Sequence, residues 1–584
     1  MSKEPENTVR KHLSEADILT LMAIRGMSEN TFKPLKGLDP KVYRPRTTTE
    51  EWKAIKASRP KLEKAKKEKP KKEPIEKVPS DAAKLIKRIS GNSNLTKDEK
   101  FEVLEKHLEV DRQKLSGWAE QIKSPIKSSQ FSKAKNNTFR KAKRYLISSA
   151  QNASPANKDL LLNMEAYADH IGAEIMIIAT RYRNPTSVWH TDGEFWDEAV
   201  HPYLTASRHT LHKHLEVLGD LKVQATSPNP TNGIELFGDK RSCIVGAPKI
   251  EFRSLPVLPE QDQKFLYSTG SVTAPSFTES VAGGRAAEHH SHGFIVVEIE
   301  SDDVVHCRNV SAHKDGTFND LIFRVEGGEV ATEEVPIMVF GDSHFAQKDE
   351  SVTKAFRGVC SDLSVSEAIL HDVYDSESLN LHNIKDPIVQ SELQKAGRDS
   401  IDKEIDQMHE ELLWFEERMK KTIVVGSNHD DFLSRAMTQG DWRDNIKNAR
   451  TFVRFLGWTL DGLCPDGIVP YIINGRYKNI QALGVNDSYI KYGIELGMHG
   501  HKGANGSRGN VKAMAKLSTK SVIGHSHTPS ITGGCYQVGI SCAMDHGYNK
   551  GLSGWAYASC IINGRGKRQM IVLNKWTKSY TTLL

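Results

Sequence analysis

Acidic and histidine side chains follow short apolar runs several times in the C-terminal part of the chain. Residues 335–345 read VPIMVFGDSHF, so Asp342 and His344 come directly after a run that predicts a buried strand. A carboxylate and an imidazole two residues apart can bind one ion, and this donor pair suits Mn²⁺, Fe, Zn²⁺ or Mg²⁺. Alone the pair is a weak signal, because Asp-x-His occurs often by chance.

The same arrangement is repeated downstream. The stretches TIVVGSNHD, YGIELGMHGH and KSVIGHSHTP each place polar ligand types after an apolar run, and ILHDVYD adds Asp372. If these runs are strands of an α/β fold, their loops meet at one edge of a sheet, where binding sites are commonly built. The ligand candidates in these stretches are Asn428, His499, His501, His525 and His527.

The order Asp-x-His, Asp, Asn-His-Asp, His and Gly-His-x-His resembles that of the calcineurin-like metallophosphoesterase family. The resemblance covers residues 331–584 and implies a β-sandwich flanked by helices, with two divalent metal ions. Mn²⁺ is the expected metal, with Mg²⁺ or another transition metal as the alternative. The resemblance implies that one ion is held by Asp342, His344, Asp372 and His527, and the other by Asp372, Asn428, His499 and His525.

The same resemblance assigns two catalytic residues. His429 matches the histidine that contacts the scissile phosphate, and Asp430 matches the acid that orients this histidine. Two positions depart from the family pattern, because His371 and Ser427 stand where glycines are usual. Neither change removes a ligand, but both affect the expected shape of the loops.

The loop after the fourth motif reads HGHKGANGSRGN and leaves two questions open. His499 is preferred as the ligand because it is nearer the strand end, while His501 can line the site instead. Lys502 and Arg508 stand among glycines whose N–H groups are free to meet a ligand, so the loop is a candidate phosphate-binding element. A set of ordinary turns explains the same glycines equally well.

The composition predicts a multidomain protein in a reducing compartment. The chain has 584 residues, a net charge of +6 and seven cysteines without CxxC pairs. It has neither an apolar run of about 18 residues nor an N-terminal secretory signal, so no membrane partner is expected. These observations favour the cytoplasm, which is the host cytoplasm if a phage encodes the protein.

Four segments are predicted in an α/β protein. Residues 1–79 form a basic, partly flexible segment, residues 80–142 a small helical module, residues 143–330 a second α/β domain and residues 331–584 the catalytic domain. Within the last two, helices are predicted near 205–218 and over 389–420. The lysine-rich run at 53–78 suits either a tether for phosphates or a solvated linker.

Three histidines at 289, 290 and 292 are the one histidine cluster of the second α/β domain. A metal site is conceivable there, but convincing partner ligands are absent from the sequence. A surface or core role is therefore the favoured interpretation.

Over its whole length the chain resembles the pre-early proteins of T5-like phages that degrade host DNA. Together the two resemblances and the basic N-terminal region favour a metal-dependent DNA nuclease. A protein or small-nucleotide phosphatase of the same family is the alternative, and a binding protein with a structural metal is disfavoured by the complete ligand set. The apolar stripe of helix 389–420 suits either core packing or an interface in a homo-oligomer.

Overall fold

The structure is a computed structural model that describes most of the chain after residue 77. The described residues are 78–90, 97–122, 131–133, 136–182, 195–380, 384–517, 519–547 and 549–584. The lysine-rich run at 53–78 therefore lies outside the described residues except for Val78, as does nearly all of the basic segment predicted at 1–79. Val78–Leu584 form one compact unit.

Three short helices build the predicted helical module. They are α1 Ser80–Ser90, α2 Lys97–Leu108 and α3 Arg112–Gln121. Their apolar residues recur at three- and four-residue steps, which places Ile86, Leu104 and Leu115 in one buried cluster. The described residues from 80 to 121 are thus mostly helical, while Phe131–Lys133, within the module predicted over 80–142, is a strand.

The following stretch is rich in strands. Its helices are α4 Lys158–Ile171 and α5 Val281–His289. Its strands are β1 Phe131–Lys133, β2 Arg144–Gln151, β3 Glu174–Thr180, β4 Phe195–Asp197, β5 Leu204–Thr205, β6 Arg208–His212, β7 Leu215–Leu218, β8 Ser242–Val245, β9 Ala247–Leu255, β10 Lys264–Gly270, β11 Gly293–Ile299, β12 Val305–Ser311, β13 Phe318–Asp320, β14 Phe323–Glu326 and β15 Glu329–Thr332.

The prediction of a helix near 205–218 is wrong. The segment forms β5 to β7, and β6 and β7 pair as an antiparallel hairpin in which Arg208 faces Leu218. In this segment the apolar residues are buried in the sheet, and that tertiary burial outweighs the helical preference of its leucines and glutamate.

The last part of the chain alternates strands and helices. Its helices are α6 Glu350–Asp362, α7 Pro387–Ala396, α8 Ile401–Arg418, α9 Asn428–Gln439, α10 Ala449–Leu460, α11 Ile468–Ile473 and α12 Val511–Met514. Its strands are β16 Ile337–Asp342, β17 Glu367–His371, β18 Lys421–Val425, β19 Ile480–Ala482, β20 Ile490–Lys491, β21 Ile494–Glu495, β22 Lys520–Ile523, β23 Ser530–Thr532, β24 Cys535–Gln537, β25 Ala558–Ile562 and β26 Arg568–Val572.

The single helix predicted over 389–420 is two helices. Gly397 ends α7 in the left-handed conformation, with φ of 70°, and Ser400 caps the start of α8. The apolar stripe predicted for this region is buried in the core at Ile401, Met408 and Leu412. Core packing is therefore the observed role of these residues.

Three large sheets organise these strands. A five-stranded sheet has the order β12-β11-β2-β3-β5, and a six-stranded sheet has the order β19-β18-β17-β16-β25-β26. A ten-stranded sheet has the order β20-β21-β22-β24-β23-β9-β10-β8-β7-β6. Strands β16 to β19 are mutually parallel, and so are β21, β22 and β24, so their carboxyl ends share sheet edges.

The ten-stranded sheet crosses the boundary predicted between residues 330 and 331. Strand β9 pairs with β23, with Arg253 opposite Ser530 and Phe252 opposite Ile531. Residues 143–330 and 331–584 therefore share one sheet. They are not two separately folded domains, as the sequence had predicted. Pairing between strands so far apart in sequence leaves no mark on local periodicity, so the sequence could not reveal it.

The six-stranded sheet is covered on both faces. Met338 and Leu370 pack with Leu412 of α8 in one buried cluster. Side chains of the opposite face, such as Val339 and Ile369, share a second cluster with Val522 of the ten-stranded sheet. This alternation places a helical layer on one face and a second sheet on the other. The mixed α/β class is confirmed, while the specific metallophosphoesterase sandwich stays a prediction.

Among the helices of the described residues, none is both long and apolar enough to cross a membrane.

Candidate metal centre

The predicted ligands lie at strand ends of two packed sheets. Strand β16 ends at Asp342, β17 ends one residue before Asp372, and β18 ends three residues before Asn428. Strand β22 of the other sheet ends two residues before His525. Because the two sheets pack against each other, the ends of their strands can meet.

The backbone at this edge is held in an uncommon conformation. His344, Asp372, His525 and His527 all have positive φ, at 37°, 46°, 77° and 60°. Non-glycine residues adopt this region at a cost, and such residues cluster at functional sites. Position 524 needs a glycine on steric grounds, because a Cβ there would lie 2.1 Å from Asp342 Oδ1.

The first predicted ligand group is assembled in the structure. His344 Nε2 lies 3.1 Å from His527 Nε2, and His527 Nε2 lies 3.1 Å from Asp342 Oδ2. Asp372 Oδ2 is 3.6 Å from His344 Nε2. All four side chains are buried, and one atom from each lies within 4.8 Å of the others. Separations of this size are what donors sharing one ion show, since each bond to the ion is about 2.0–2.2 Å long.

The second predicted group lies beside the first. Asn428 Oδ1 is 3.0 Å from His499 Nε2 and 2.9 Å from His525 Nδ1. His499 Nε2 is also 3.2 Å from Asp372 Oδ2, the oxygen that faces the first group. Asp372 therefore stands between the two groups, in the position that the resemblance implies for an acid shared by two ions.

The structure distinguishes His499 from His501. His499 is buried and meets both Asn428 and Asp372. The nearest acid to His501 is Asp431, whose Oδ2 is 3.8 Å from His501 Nε2. His499 thus has the position of a ligand, and His501 stands beside it.

The acids at the centre lack the partners that buried carboxylates need. Both carboxylate oxygens of Asp342 and Oδ1 of Asp372 are buried without a hydrogen-bond partner in the described residues. Burial alone would raise the pKa of Asp372, but His499 and His429 lower that pKa well below its usual range. Unpaired buried carboxylates are costly, and this group of acids and histidines could hold a cation that would relieve that cost.

Asp375 is a supporting residue that sequence reasoning missed. Its Oδ1 accepts a 2.6 Å hydrogen bond from His344 Nδ1, which leaves His344 Nε2 facing the first ligand group. Burial opposes a charged imidazole, but Asp375 raises the pKa of His344 to about 9. A carboxylate behind a metal-binding histidine fixes its tautomer and orientation. The available signal was the second acid of ILHDVYD, three residues after Asp372.

The predicted role of Asp430 differs from its observed contacts. Asp430 Oδ2 accepts a 3.0 Å hydrogen bond from the Ser427 N–H, and Ser427 Oγ accepts one of 3.2 Å from the Asp430 N–H. This reciprocal pair is the capping box of α9. Burial and the neighbouring Asp372 raise the pKa of Asp430 to about 7. Asp430 therefore holds the helix start, and its partner is Ser427, at a position where the resembled metallophosphoesterases usually have glycine.

His429 is oriented by a different residue. Its Nδ1 donates a 3.1 Å hydrogen bond to the backbone carbonyl of Asp375. A ring nitrogen of His429 also lies within 4.8 Å of the Asp375 carboxylate and of a His344 ring nitrogen. His429 is half-buried at the centre, with Asp375 in the place expected for Asp430.

Two more histidines stand at the centre. His371 is buried, and its Nδ1 lies 3.4 Å from His499 Nδ1. His546 packs its ring 4.9 Å from the ring of His344. The sequence marked His371 as a departure from the pattern of the resembled family, but it carried no signal for His546, which lies outside every motif.

A cleft of about 790 Å³ opens over this centre. Asp372, His429 and His525 line it together with the basic residues Arg253 and Arg508. Of the predicted phosphate-binding loop, Arg508 lines the cleft, while Lys502 Nζ pairs with Asp431 Oδ2 at 3.1 Å. The loop thus contributes one cation to the cleft wall.

Comparison with known proteins gives one informative similarity. The chain is 30% identical to Protein A1 of Escherichia phage T5 over 461 residues, which are 74% of this chain and 82% of that protein. No family model and no solved structure matches the chain. The resemblance to calcineurin-like metallophosphoesterases therefore stays a prediction. On the extent of the similarity to the phage protein, this chain belongs to the family of Protein A1 of Escherichia phage T5.

Proposed function

We propose that the protein is a phosphodiester hydrolase that uses two divalent metal ions, and that its substrate is DNA. The observation that carries the proposal is the pair of buried acids, Asp342 and Asp372. Three of their four carboxylate oxygens have no hydrogen-bond partner among the described residues, and the acids lie 3.1 and 3.2 Å from ring nitrogens of His527 and His499. The fold we propose for residues 331–584 is the two-sheet sandwich of the metallophosphoesterases.

The donor set fits two ions. Asp342, His344, Asp372 and His527 would hold the first, and Asp372, Asn428, His499 and His525 the second. Mixed oxygen and nitrogen donors suit Mn²⁺, with Mg²⁺ or other transition metals as alternatives. When bound, such a pair of ions activates water and neutralises charge on the entering and leaving oxygens of a phosphodiester.

His429 is the proposed proton donor to the leaving oxygen. Because the Asp375 carbonyl can only accept, the Nδ1 proton of His429 is committed to that hydrogen bond. Its Nε2 is then the nitrogen available to a phosphate oxygen in the cleft, which His429 lines. To act as the donor, His429 must be the imidazolium, whose Nε2 proton passes to the leaving oxygen and leaves a neutral ring protonated at Nδ1. A positioned histidine of this kind stabilises developing charge and moves a proton in the transition state.

DNA is favoured as the substrate by charge and by family. Arg253, Arg508 and Lys512 line the cleft and supply cations for a phosphate backbone. The sequence resembles phage proteins that degrade host DNA, which also suggests action in the cytoplasm of an infected host. A homo-oligomer stays a prediction.

Four substrates separate the proposed nuclease from its alternative. Chelator-treated protein is given Mn²⁺ or Mg²⁺ and offered supercoiled plasmid, linear duplex DNA, bis-p-nitrophenyl phosphate and p-nitrophenyl phosphate. We expect metal-dependent cleavage of linear duplex DNA and of the diester, and nicking of the supercoiled plasmid would identify endonuclease activity. Hydrolysis of the monoester alone would replace the nuclease with a phosphatase, and failure to bind either metal by elemental analysis would overturn the metal centre.

A further inference from the structure

A second cavity lies behind the sheet wall of the cleft. Its volume is about 650 Å³. In β23, Ser530 and Thr532 line the cleft, while Ile531 between them lines the second cavity. Successive side chains of a strand point to opposite faces, so the two cavities lie on opposite sides of this strand. A ligand in one cannot contact the metal centre in the other.

Positive charge dominates the lining of this second cavity, the basic cavity. A single carboxylate, from Glu288, belongs to its described lining. The cationic side chains of the lining are Lys249, Lys314, Lys520, Lys567 and Arg568. The histidines of the lining are His289, His290, His292 and His313, which include the cluster noticed in the sequence.

Two cations of the lining contact neutral groups. Lys567 Nζ donates to the Ala312 carbonyl at 2.8 Å, and Arg568 Nη1 donates to the carbonyls of Ser521 and Gly534 at 2.7 and 2.6 Å. Carbonyl oxygens satisfy hydrogen bonds but carry no neutralising charge. Burial, together with Lys520 and Arg568, lowers the pKa of Lys567 to about 8. The cavity therefore holds a concentrated positive potential that an anion would relieve.

The remaining walls suit the rest of a small ligand. Ile250, Pro275 and Ile531 give apolar surface, and the ring of Tyr536 is held by Arg568, whose guanidinium lies 4.1 Å from the ring centroid. The buried Nε2 of His290 has no hydrogen-bond partner among the described residues. Small-molecule sites of about 300–1,000 Å³ combine apolar walls with a few such polar groups.

We propose that the basic cavity binds a mononucleotide, with its phosphate among Lys314, Lys520, Lys567 and Arg568 and its base against the apolar wall. A bare phosphate would leave most of the volume and the apolar wall unused. The inference does not depend on the metal centre, because the two cavities share no lining residue.

Calorimetric titration of the full chain with deoxyadenosine monophosphate, inorganic phosphate and deoxyadenosine tests the proposal. Lys314 and Lys520 are exposed at the cavity rim, so the double variant Lys314→Glu, Lys520→Glu should fold. We expect one nucleotide per chain, with affinity in the double variant reduced roughly tenfold or more as charge-assisted contacts are lost. Lys354→Glu, at an exposed position of α6, is the matched control and should bind like the wild type.

Several outcomes would overturn the proposal. They are absence of binding to the wild type, equal binding of deoxyadenosine, and equal loss of affinity in the Lys354→Glu control. Loss of binding in Asp372→Asn would place the nucleotide at the metal centre instead. If the double variant melts early by circular dichroism, Lys520→Met alone replaces it, and unchanged affinity in that variant counts against the site.

Discussion

Two clusters of buried charge in this protein are built in opposite ways. In one, the Arg308 guanidinium is paired with Asp320 through contacts of 2.6 and 2.7 Å and also meets Glu298. Asp320 accepts a further 2.7 Å hydrogen bond from the Tyr167 hydroxyl, and the Thr582 N–H donates to Glu298 at 2.7 Å. Each charge in this cluster has a partner within the protein.

The acids of the candidate metal centre do not all have such partners. Asp342 and Asp372 are equally buried, but no arginine or lysine stands against them, and three of their four carboxylate oxygens have no hydrogen-bond partner in the described residues. A cluster that is complete by itself serves the fold, whereas the incomplete one could hold a cation, as we propose. The contrast yields five predictions.

Asp372→Asn should have the largest effect. Asparagine tolerates the positive φ of this position, but the amide cannot carry the charge shared by both ligand groups. We expect loss of both metals and a fall in diester hydrolysis beyond the roughly 10²–10⁴-fold that one acid–base group contributes. Elemental analysis and a diester assay measure this, with the exposed Asp169→Asn as control. Two bound metals in the variant would contradict it.

His429→Ala should separate chemistry from metal binding. If His429 acts on the phosphate, the variant keeps both metals while turnover falls by roughly 10²–10⁴-fold. Elemental analysis beside the diester assay checks both parts. Metal loss would instead make His429 a ligand together with His344 and Asp375, a grouping that their positions also allow.

Arg308→Met should destabilise the fold without reaching the metal centre. The change removes Arg308 from Asp320 and leaves Glu298 only the Arg144 Nε, 3.9 Å from its Oε2. Breaking a buried ion pair in this way typically costs about 3–5 kcal/mol. Urea unfolding measures the loss, and the exposed Arg450→Met is the control. Metal content per folded chain should match the wild type. A stable Arg308→Met variant would remove the contrast between the two clusters.

Lowering the pH should destabilise the fold by protonating Glu298 of the Arg308 cluster. Burial alone would raise the Glu298 pKa, but Arg308 and the Thr582 hydrogen bond lower it from 4.5 to about 2. A lowered folded-state pKa gives stability that is present above pH 4.5 and is lost as the pH falls toward 2. The stability difference between wild type and Glu298→Gln should therefore shrink over that range in urea unfolding. A stability difference that stays constant with pH would contradict this role of Glu298. The exposed Glu329→Gln is the control.

Asp375→Ala should have the smallest effect. Without its carboxylate the His344 ring loses the 2.6 Å hydrogen bond that fixes its orientation. Loss of such a supporting residue typically lowers metal affinity or activity by about 10–100-fold. Metal titration followed by the diester assay measures this, and Asp375→Asn, which can still accept the hydrogen bond, should recover part of the loss. Equal defects in both variants would mean that the carboxylate charge matters more than orientation.

Much of the metal centre could be predicted because its ligands are local features of the chain. Asp342, Asp372 and Asn428 follow strands whose apolar runs are visible in the sequence, and parallel strands bring their ends together. The helices between 80 and 122 were predictable for the same reason, since their apolar spacing is local.

Other features depended on contacts between distant residues. The choice of Asp375 over Asp430 as partner of His429 rests on how α9 meets the loop after β17. The pairing of β9 with β23, the break between α7 and α8 and the strands at 204–218 were equally hidden. The sequence by itself determined which residues could bind metal, because residue chemistry and strand ends are local. Only the tertiary structure decided which groups support them and that five cations surround a second cavity, because those neighbours come from segments far apart in the chain.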